Sequence, residues 1–328
     1  MQLAVSLPLT GVPLDRTVAL VRRAQDRGYA AAWASEVAGP DFASLLGAVA
    51  TGCDLDLGVA VAPVQTRSPW LLAATAASLA HLSGGRFTLG VGTSSEVIVE
   101  QWSGVPFHRP LARLRETVEV LRAMLAGERV EVDGEFVRSS GYRLFAPPPT
   151  PVPIVVGALN PVSLCQAGAI GDGVCLNQLA PEHVPMVLDH VRAGADAEGR
   201  DPSAASVVAR LFCWVTDDVA DARARVRRTF APYIATSVYN RFYRWLGFTE
   251  EADAVLAALA RGDRTAAAAA VSDRLLDAVT AIGDAGAVAG RVQAYVDAGV
   301  TVPVIATIGP TADDTIRTLD AMAGRLAR

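Results

Sequence analysis

The feature that most constrains this chain is a repeated alternation of short apolar segments with stretches of helical periodicity. Eight apolar segments of this kind occur, at residues 3–7, 30–34, 57–62, 87–91, 154–158, 173–177, 207–215 and 302–308. They do not alternate apolar with polar residues, which is typical of parallel strands that helices cover. Eight such units predict an α/β fold, a (β/α)8 TIM barrel. A doubly wound sheet is the alternative, but the GxGxxG motif usual after its first strand is missing.

Two stretches interrupt the alternation within what we predict to be a single TIM-barrel domain over residues 1–328. The first, 127–150, contains the sequence VEVDGEFV at 130–137, which is typical of a hairpin with an Asp-Gly turn. The second, 219–280, follows the seventh predicted strand and combines helical patterns with clustered aromatic residues, without an apolar strand. We therefore predict a hairpin insertion at 127–150 and a helical insertion or lid at 219–280.

Lysine is absent from the chain, and all 29 of its basic side chains are arginine. Schiff-base aldolases, pyridoxal-phosphate enzymes and P-loop enzymes need a lysine amine and are therefore excluded. The four histidines share no spacing typical of a metal site, so no metal is expected. The formal net charge is −5 and no basic run occurs, so nucleic acid is not an expected partner.

Neither a signal peptide nor a membrane span is predicted. The first residues, MQLAVSLPLTG, lack the charged start and the long apolar run of a signal peptide. No stretch of about 18 uncharged apolar residues occurs, so no membrane partner is expected. The four cysteines are scattered in apolar surroundings, which favours free thiols in a reducing compartment. Together these observations predict a cytoplasmic protein.

The loop after the fourth predicted strand has the composition of an anion-binding site. This strand, 87–91, is followed by the small and hydroxyl-bearing residues Gly92, Thr93 and Ser94. Such an ending leaves main-chain N–H groups free to point at an anion. The carboxyl ends of barrel strands are also where the active sites of this fold lie. We interpret the loop as the site that binds the phosphate of a cofactor.

Three longer segments carry a resemblance to a known family. They are LGVGTSSEVIVEQWSGVPFHRPLARLRETVEVLR at 89–122, PIVVGALNPVSLCQAGAIGDGVCLN at 153–177 and AGRVQAYVDAGVTVPVIATIG at 289–309. Together they resemble the bacterial luciferase-like superfamily, and more narrowly its deazaflavin branch, oxidoreductases that use coenzyme F-420 (8-hydroxy-5-deazaflavin). The resemblance covers the chain except 219–280. It implies a bacterial luciferase-like TIM barrel with insertions, whose cofactor lies at the carboxyl ends of the strands.

The resemblance also implies particular cofactor contacts. The bond between Ala60 and Val61 matches a non-prolyl cis peptide behind the cofactor ring, and residues 92–94 match the phosphate loop. Residues 157–158 match a second wall of the pocket, and Asn177 matches a polar position near it. The implied cofactor-binding residues are Ala60, Val61, Gly92, Thr93, Ser94, Gly157, Ala158 and Asn177.

One carboxylate is a candidate catalytic residue. The second predicted strand is followed by Ser35 and Glu36, where many relatives carry Asp-His. Reduction of an imine or an activated C=C bond needs a proton donor, and Glu36 is the candidate for that role. The lysine pair that holds a substrate phosphate in sugar-phosphate dehydrogenases of the family has no counterpart here, so that specificity is not predicted.

The leading functional hypothesis is hydride transfer between coenzyme F-420 and an unidentified small organic substrate. One alternative keeps the fold but uses reduced FMN and oxygen, as a monooxygenase. Another alternative is a barrel that binds a flavin without turnover. Relatives are commonly dimers, so the resemblance also implies a homodimer.

Overall fold

Twelve strands are present in residues 2–325, the part of the chain that the structure, a computed structural model, describes. In chain order they are β1 (Ala4–Leu7), β2 (Ala31–Ala34), β3 (Asp56–Val59), β4 (Ala62–Pro63), β5 (Phe87–Gly92), β6 (Val130–Asp133), β7 (Arg138–Tyr142), β8 (Ile154–Gly157), β9 (Gly173–Asn177), β10 (Ser206–Val215), β11 (Thr280–Gly283) and β12 (Val302–Thr307). Eight of them pair in parallel in the order β1, β2, β3, β5, β8, β9, β10 and β12, and β12 pairs with β1. The closed ring confirms the predicted (β/α)8 TIM barrel.

Helices follow the barrel strands along the chain and cover them. They are α1 (Thr17–Asp26), α2 (Phe42–Gly52), α3 (Pro69–Leu82), α4 (Pro110–Leu125), α5 (Pro161–Ile170), α6 (Val184–Ala197), α7 (Val219–Ile234), α8 (Ser237–Trp245), α9 (Thr249–Ala260), α10 (Arg264–Ala270), α11 (Asp273–Val279), α12 (Ala285–Asp297) and α13 (Ala312–Met322). The last helix, predicted over 312–326, ends at Met322 in the structure, and Leu326 lies outside the described residues. Within 2–325, every helix is too short or too polar to span a bilayer.

The inside of the barrel holds a layer of mainly small apolar side chains. Its members come from six different strands and are Ala4, Ala31, Trp33, Val155, Cys175, Val208, Val302 and Val304. Side chains alternate along a strand, so residues two positions further on also face inward, one level nearer the carboxyl ends. Ser6, Asn177 and Arg210 are the inward-facing residues that follow Ala4, Cys175 and Val208 on their strands. They lie at the barrel mouth, where this fold places its chemistry.

The third predicted strand, 57–62, is split in the structure. Its two parts, β3 and β4, flank Ala60 and Val61, and the peptide bond between these two residues is cis. This is the bond at which the resemblance implied a cis peptide. Both residues are partly buried and pack against the apolar layer inside the barrel.

Five helices, α7–α11, occupy the stretch in which we predicted a helical insertion. The expectation that 219–280 contains no strand holds up to residue 279, because β11 begins at Thr280 and runs parallel to β10. The ten-residue β10 pairs with β9 through Ser206–Arg210 and with β11 through Phe212–Val215. The four residues TAIG of β11 are too few to form a recognisable pattern in the sequence.

The predicted hairpin in 127–150 is present, but its second strand begins later than expected. The strands β6 and β7 pair antiparallel, with residues 134–137 forming the connection. The Gly134 N–H donates to the Val137 carbonyl, and the N–H groups of Phe136 and Val137 donate to the Glu116 carboxylate on α4. Because the N–H groups of Phe136 and Val137 are turned toward α4, they are not free to pair with a neighbouring strand.

Candidate active site

Val61 and two glycines form one side of the barrel mouth. A Cβ atom added at Gly92 would lie 2.6 Å from Val61 Cγ2, and one added at Gly157 would lie 3.1 Å from Val61 Cγ1. The two glycines therefore face the Val61 side chain closely, and neither position has room for another residue without displacing it. The structure thus brings together Val61, Gly92 and Gly157, which the sequence places in three different strand regions. They form a smooth, largely apolar wall.

The loop after β5 presents free main-chain donors beside this wall. Among the described residues, no acceptor pairs with the N–H groups of Thr93, Ser94 and Ser95. Ser94 adopts a left-handed conformation with φ of 58°, a backbone arrangement that helps adjacent N–H groups to converge. A π-helical segment, Val97–Trp102, begins directly after the loop. Free N–H groups ahead of a helical turn can hold a phosphate or another anion.

Ala158 and Asn177 lie together at the next part of the rim. Both line a small crevice whose other walls include Leu176 and Phe242. The Asn177 side chain donates from Nδ2 to the hydroxyl of Tyr239 at 2.9 Å. Its Oδ1 is buried and has no hydrogen-bond partner among the described residues. A buried acceptor without a partner is unfavourable, so a donor that reached this atom would form a favourable hydrogen bond.

Glu36 is held in an ion-pair cluster at the end of β2. Both of its carboxylate oxygens accept hydrogen bonds from Arg67, which also pairs with Asp41 and lies over the Phe42 ring at 4.7 Å. The hydrogen bond to Glu36 is the main reason why the pKa of Arg67 is raised. Burial would raise the pKa of Asp41, but hydrogen bonds from Ser44 and Arg67 outweigh it and lower the pKa. Within the described residues, Glu36 makes no hydrogen bond to a predicted cofactor-binding residue.

Arg210 is a polar residue of the mouth that the sequence analysis missed. It lies in β10 beside Asn177, and its Nε–H donates to Ser6 Oγ at 3.2 Å. Burial lowers the pKa of Arg210, although the nearby Tyr239 and Tyr233 partly offset that effect. The one signal in the sequence was a charged residue within the apolar run SVVARLFCWV. Among 29 arginines, that signal was too weak to select it.

The helices α7 and α8 place aromatic side chains over β9 and β10. Tyr239 reaches Asn177, and the Tyr243 hydroxyl donates to Gln178 Oε1 at 2.6 Å. The rings of Tyr233 and Tyr239 meet edge to face with their centroids 6.1 Å apart. Burial raises the pKa of both Tyr239 and Tyr243, so both phenols stay protonated at neutral pH. Within residues 2–325, no group of three or more His, Cys, Asp or Glu side chains could hold a metal ion.

Comparison with known proteins gives the same family as the resemblance. The family model described as luciferase-like monooxygenase matches residues 2–302. The 5,10-methylenetetrahydromethanopterin reductase of Methanolobus tindarius is 29% identical over 310 residues, which cover 93% of this chain and 94% of the relative. The enzyme of that name from Archaeoglobus fulgidus is 31% identical over 269 residues, 80% of each chain.

A solved structure has the same fold over nearly its whole length. The coenzyme F-420 dependent tetrahydromethanopterin reductase from Methanopyrus kandleri superposes with a TM-score of 0.84 at 23% identity, covering 99% of this chain and 98% of that one. The family model spans most of the chain, and the solved structure shares its fold. The chain therefore belongs to the luciferase-like monooxygenase family of enzymes.

Proposed function

We propose that this enzyme is an oxidoreductase that transfers a hydride between coenzyme F-420 and a small organic substrate. The observation that carries the proposal is the wall of Val61, Gly92 and Gly157, which is closely packed and leaves no side chain to obstruct a flat ring. Several relatives that match most of this chain are reductases, and the similar structure from Methanopyrus kandleri is coenzyme F-420 dependent by name.

The residues present fit a deazaflavin with an anionic tail. Val61 would support the ring from behind, and the two glycines would let the ring lie against the main chain. The free N–H groups of Thr93 and Ser94 would bind the phosphate of the tail without a lysine. Asn177 would direct its unpaired Oδ1 at a polar edge of the bound molecules.

The chemical demands on the protein are then modest. When bound, a deazaflavin supplies reversible two-electron hydride transfer and does little oxygen chemistry. The chain itself would fix the distance and angle between donor and acceptor, through the Val61 wall on one side of the mouth. On the other side, the partly buried Tyr239 of α8, hydrogen-bonded to Asn177, would keep water from the reacting atoms, and the fully buried Tyr243 packs beside it.

Glu36 remains our candidate for proton transfer. Its two oxygens already accept hydrogen bonds from Arg67, so a proton on Glu36 would displace one of these bonds. Glu36→Gln keeps the size of the side chain and removes its acid–base function. If Glu36 transfers the proton, the variant lowers kcat about 100-fold or more and removes one limb of the pH profile, while coenzyme affinity stays unchanged. An unchanged pH profile would remove Glu36 from the mechanism.

Titration of the purified protein tests the cofactor assignment. We expect the fluorescence of coenzyme F-420 to be quenched on binding, and we expect FMN to bind more weakly than coenzyme F-420. In Gly92→Ala the new methyl group would lie 2.6 Å from Val61 Cγ2, so the Val61 side chain must move and the wall changes shape. We expect the dissociation constant for coenzyme F-420 to rise tenfold or more, which corresponds to about 1.4 kcal/mol.

Two further variants make that titration specific. Gly290→Ala is the matched control, because a Cβ atom at this helical position meets nothing within 4 Å. In the double variant Gly92→Ala/Val61→Ala, removal of the Val61 methyl groups restores the space, so part of the affinity returns. Equal affinity in the wild type and Gly92→Ala would remove the wall from the site. Tighter binding of FMN would favour the monooxygenase alternative, and binding without turnover would favour a non-catalytic flavin-binding barrel.

A homodimer and a cytoplasmic location remain predictions from the resemblance and from the composition. Light scattering on the purified protein measures the first directly. A dimer has twice the 34.2 kDa mass of the chain. A mass of one chain at micromolar concentration would contradict it.

A further inference from the structure

The guanidinium of Arg210 lies at the mouth of the barrel, partly buried, without a carboxylate partner. Arg210 lies two residues after Val208, which belongs to the inner apolar layer, so its side chain enters the interior at the level of Ser6 and Asn177. Its Nε–H donates to Ser6, and its guanidinium carbon lies 4.8 Å from the centre of the Phe212 ring. Among residues 2–325, no carboxylate pairs with it and its two terminal nitrogens have no hydrogen-bond partner.

Such an arrangement is unusual, because a charge that is largely buried in a protein is normally paired. A charge taken out of water loses hydration that neither a hydroxyl nor an aromatic ring fully replaces. Arg67, which is also partly buried near the ends of the strands, follows the normal pattern, since it pairs with both Glu36 and Asp41. The missing counter-charge of Arg210 is therefore expected from a bound molecule.

The surroundings of Arg210 add directed hydrogen-bonding groups. Asn177 lies beside it in register on β9 and orients the Tyr239 hydroxyl through its Nδ2 group. The Tyr239 hydroxyl accepts a hydrogen bond from Asn177, which leaves its own hydrogen free to be donated. Planar N–H groups of arginine and a phenol O–H match the two oxygens of a carboxylate.

The topology places this cluster directly across the mouth from the proposed cofactor wall. In the ring of eight strands, β10 is the fourth neighbour of β3 in either direction. Val61, between β3 and β4, and Arg210, on β10, therefore lie on opposite sides of the opening. A molecule bound between them would expose one end to the cofactor ring and the other to the guanidinium.

We propose that Arg210 binds a carboxylate group of the substrate, so that the enzyme acts on an organic carboxylate. The role as a substrate site rests on the proposed function, whereas anion binding by Arg210 does not. The negative groups of the coenzyme itself are the other source of the same chemistry. The experiment must therefore separate binding of the substrate from binding of the coenzyme.

The test uses the full-length protein with acetate and benzoate as probes, and acetamide and benzamide as their uncharged counterparts. Each is added with and without coenzyme F-420, and the Tm and the coenzyme fluorescence are measured. We expect at least one carboxylate to raise the Tm of the wild type while its amide does not. Arg210→Met removes that shift, and Arg210→Lys recovers only part of it because it lacks the planar fork. Arg192→Met, which removes an exposed arginine paired with Asp189, is the control for net charge.

The stability of the variant separates a binding role from a structural one. If Arg210 serves binding, removal of its unpaired, partly buried charge leaves the Tm of the ligand-free protein unchanged or raises it. A large fall in Tm in both Arg210→Met and Arg210→Lys would indicate a structural role and overturn the proposal.

The remaining outcomes distinguish the two proposals from each other. An equal carboxylate shift in the wild type and Arg210→Met, or no shift with any carboxylate, overturns the role of Arg210. A tenfold loss of coenzyme affinity in Arg210→Met also overturns it, since the residue would then belong to the cofactor site. Carboxylate binding through Arg210 in a protein that binds no coenzyme F-420 would sink the proposed function and leave the anion site intact.

Discussion

Glycine at positions 92 and 157 is needed for space rather than for backbone freedom. Neither residue has a positive φ, but each faces the methyl groups of Val61 at a distance that a side chain would occupy. A glycine that leaves room differs from one that permits a turn, and the two look identical in a sequence. The resemblance identified both positions, and the structure supplies the physical reason.

For Arg210 the sequence showed the residue but not its surroundings. Its residue type was visible in the sequence, but the absence of a carboxylate partner was not, because pairing depends on which side chains the fold brings near. The pairing of Glu36 with Arg67 was hidden for the same reason, since 31 residues separate them. Candidate residues can be chosen from sequence, whereas their partners cannot.

Asp172 gives a prediction at the residue scale. Its carboxylate accepts hydrogen bonds from the Ile154 N–H, Arg122 and Arg200, and so joins β8 to α4 and to the end of α6. Asp172→Asn removes the charge and one acceptor while both arginines remain. We expect a loss of about 2 kcal/mol in the free energy of unfolding, measured with urea.

The control for this variant is Asp189→Asn, because Asp189 is exposed and pairs with Arg192 within one helix. Its expected loss is below about 0.5 kcal/mol. Equal losses in the two variants would show that Asp172 does not join these elements.

At the scale of elements, the sequence predicted the boundaries of the regular barrel strands. It did not predict the boundaries of β3, β4 and β7. Apolar runs such as 173–177 are predicted and observed with the same limits. The division of the predicted strand 57–62 into β3 and β4 and the late start of β7 depend on contacts with other elements. A local pattern predicts the boundaries of a strand when both faces of the strand are buried. It fails when a side chain from a distant part of the chain takes the hydrogen bonds that the strand would need.

The attachment of the hairpin to α4 gives a prediction at this scale. Glu116 accepts hydrogen bonds from the N–H groups of Phe136 and Val137. Glu116→Ala leaves these donors to water, so we expect faster hydrogen exchange at both amides and a loss of stability of about 1 kcal/mol. Hydrogen exchange followed by NMR or mass spectrometry measures the effect.

Glu119→Ala provides the comparison on the same helix, because Glu119 is exposed. In Glu119→Ala, the amides of Phe136 and Val137 should exchange as fast as in the wild type. Coenzyme affinity should stay unchanged in both variants, since the hairpin contains none of the proposed cofactor-binding residues.

For the whole molecule, paired carboxylates determine how stability depends on pH. The carboxylates whose pKa is lowered in the folded state include Asp41, Asp172, Glu182, Glu251, Asp273, Asp314 and Asp320. A lowered folded pKa means that the unfolded chain binds protons first as the pH falls. The stabilisation is therefore fully present above the unfolded values, about 4 for these groups, and is lost as the pH falls through the folded values.

We expect the Tm to change little between about pH 8 and 6 and to fall steeply below about pH 4. Calorimetry across this range measures it, and Asp172→Asn should show a shallower fall because one of these carboxylates is gone. A Tm that stays constant down to pH 3 would contradict this account.

The sequence by itself determined the class of the fold, its eight strand–helix units and the loop that follows β5. It could do so because burial and turn chemistry leave local, periodic patterns that need no knowledge of distant contacts. Only the tertiary structure decided what surrounds the mouth. Closure of the ring sets β10 opposite β3, brings Val61 between two glycines and leaves Arg210 without a carboxylate. These relations join residues that lie tens to hundreds of positions apart, so no local pattern encodes them.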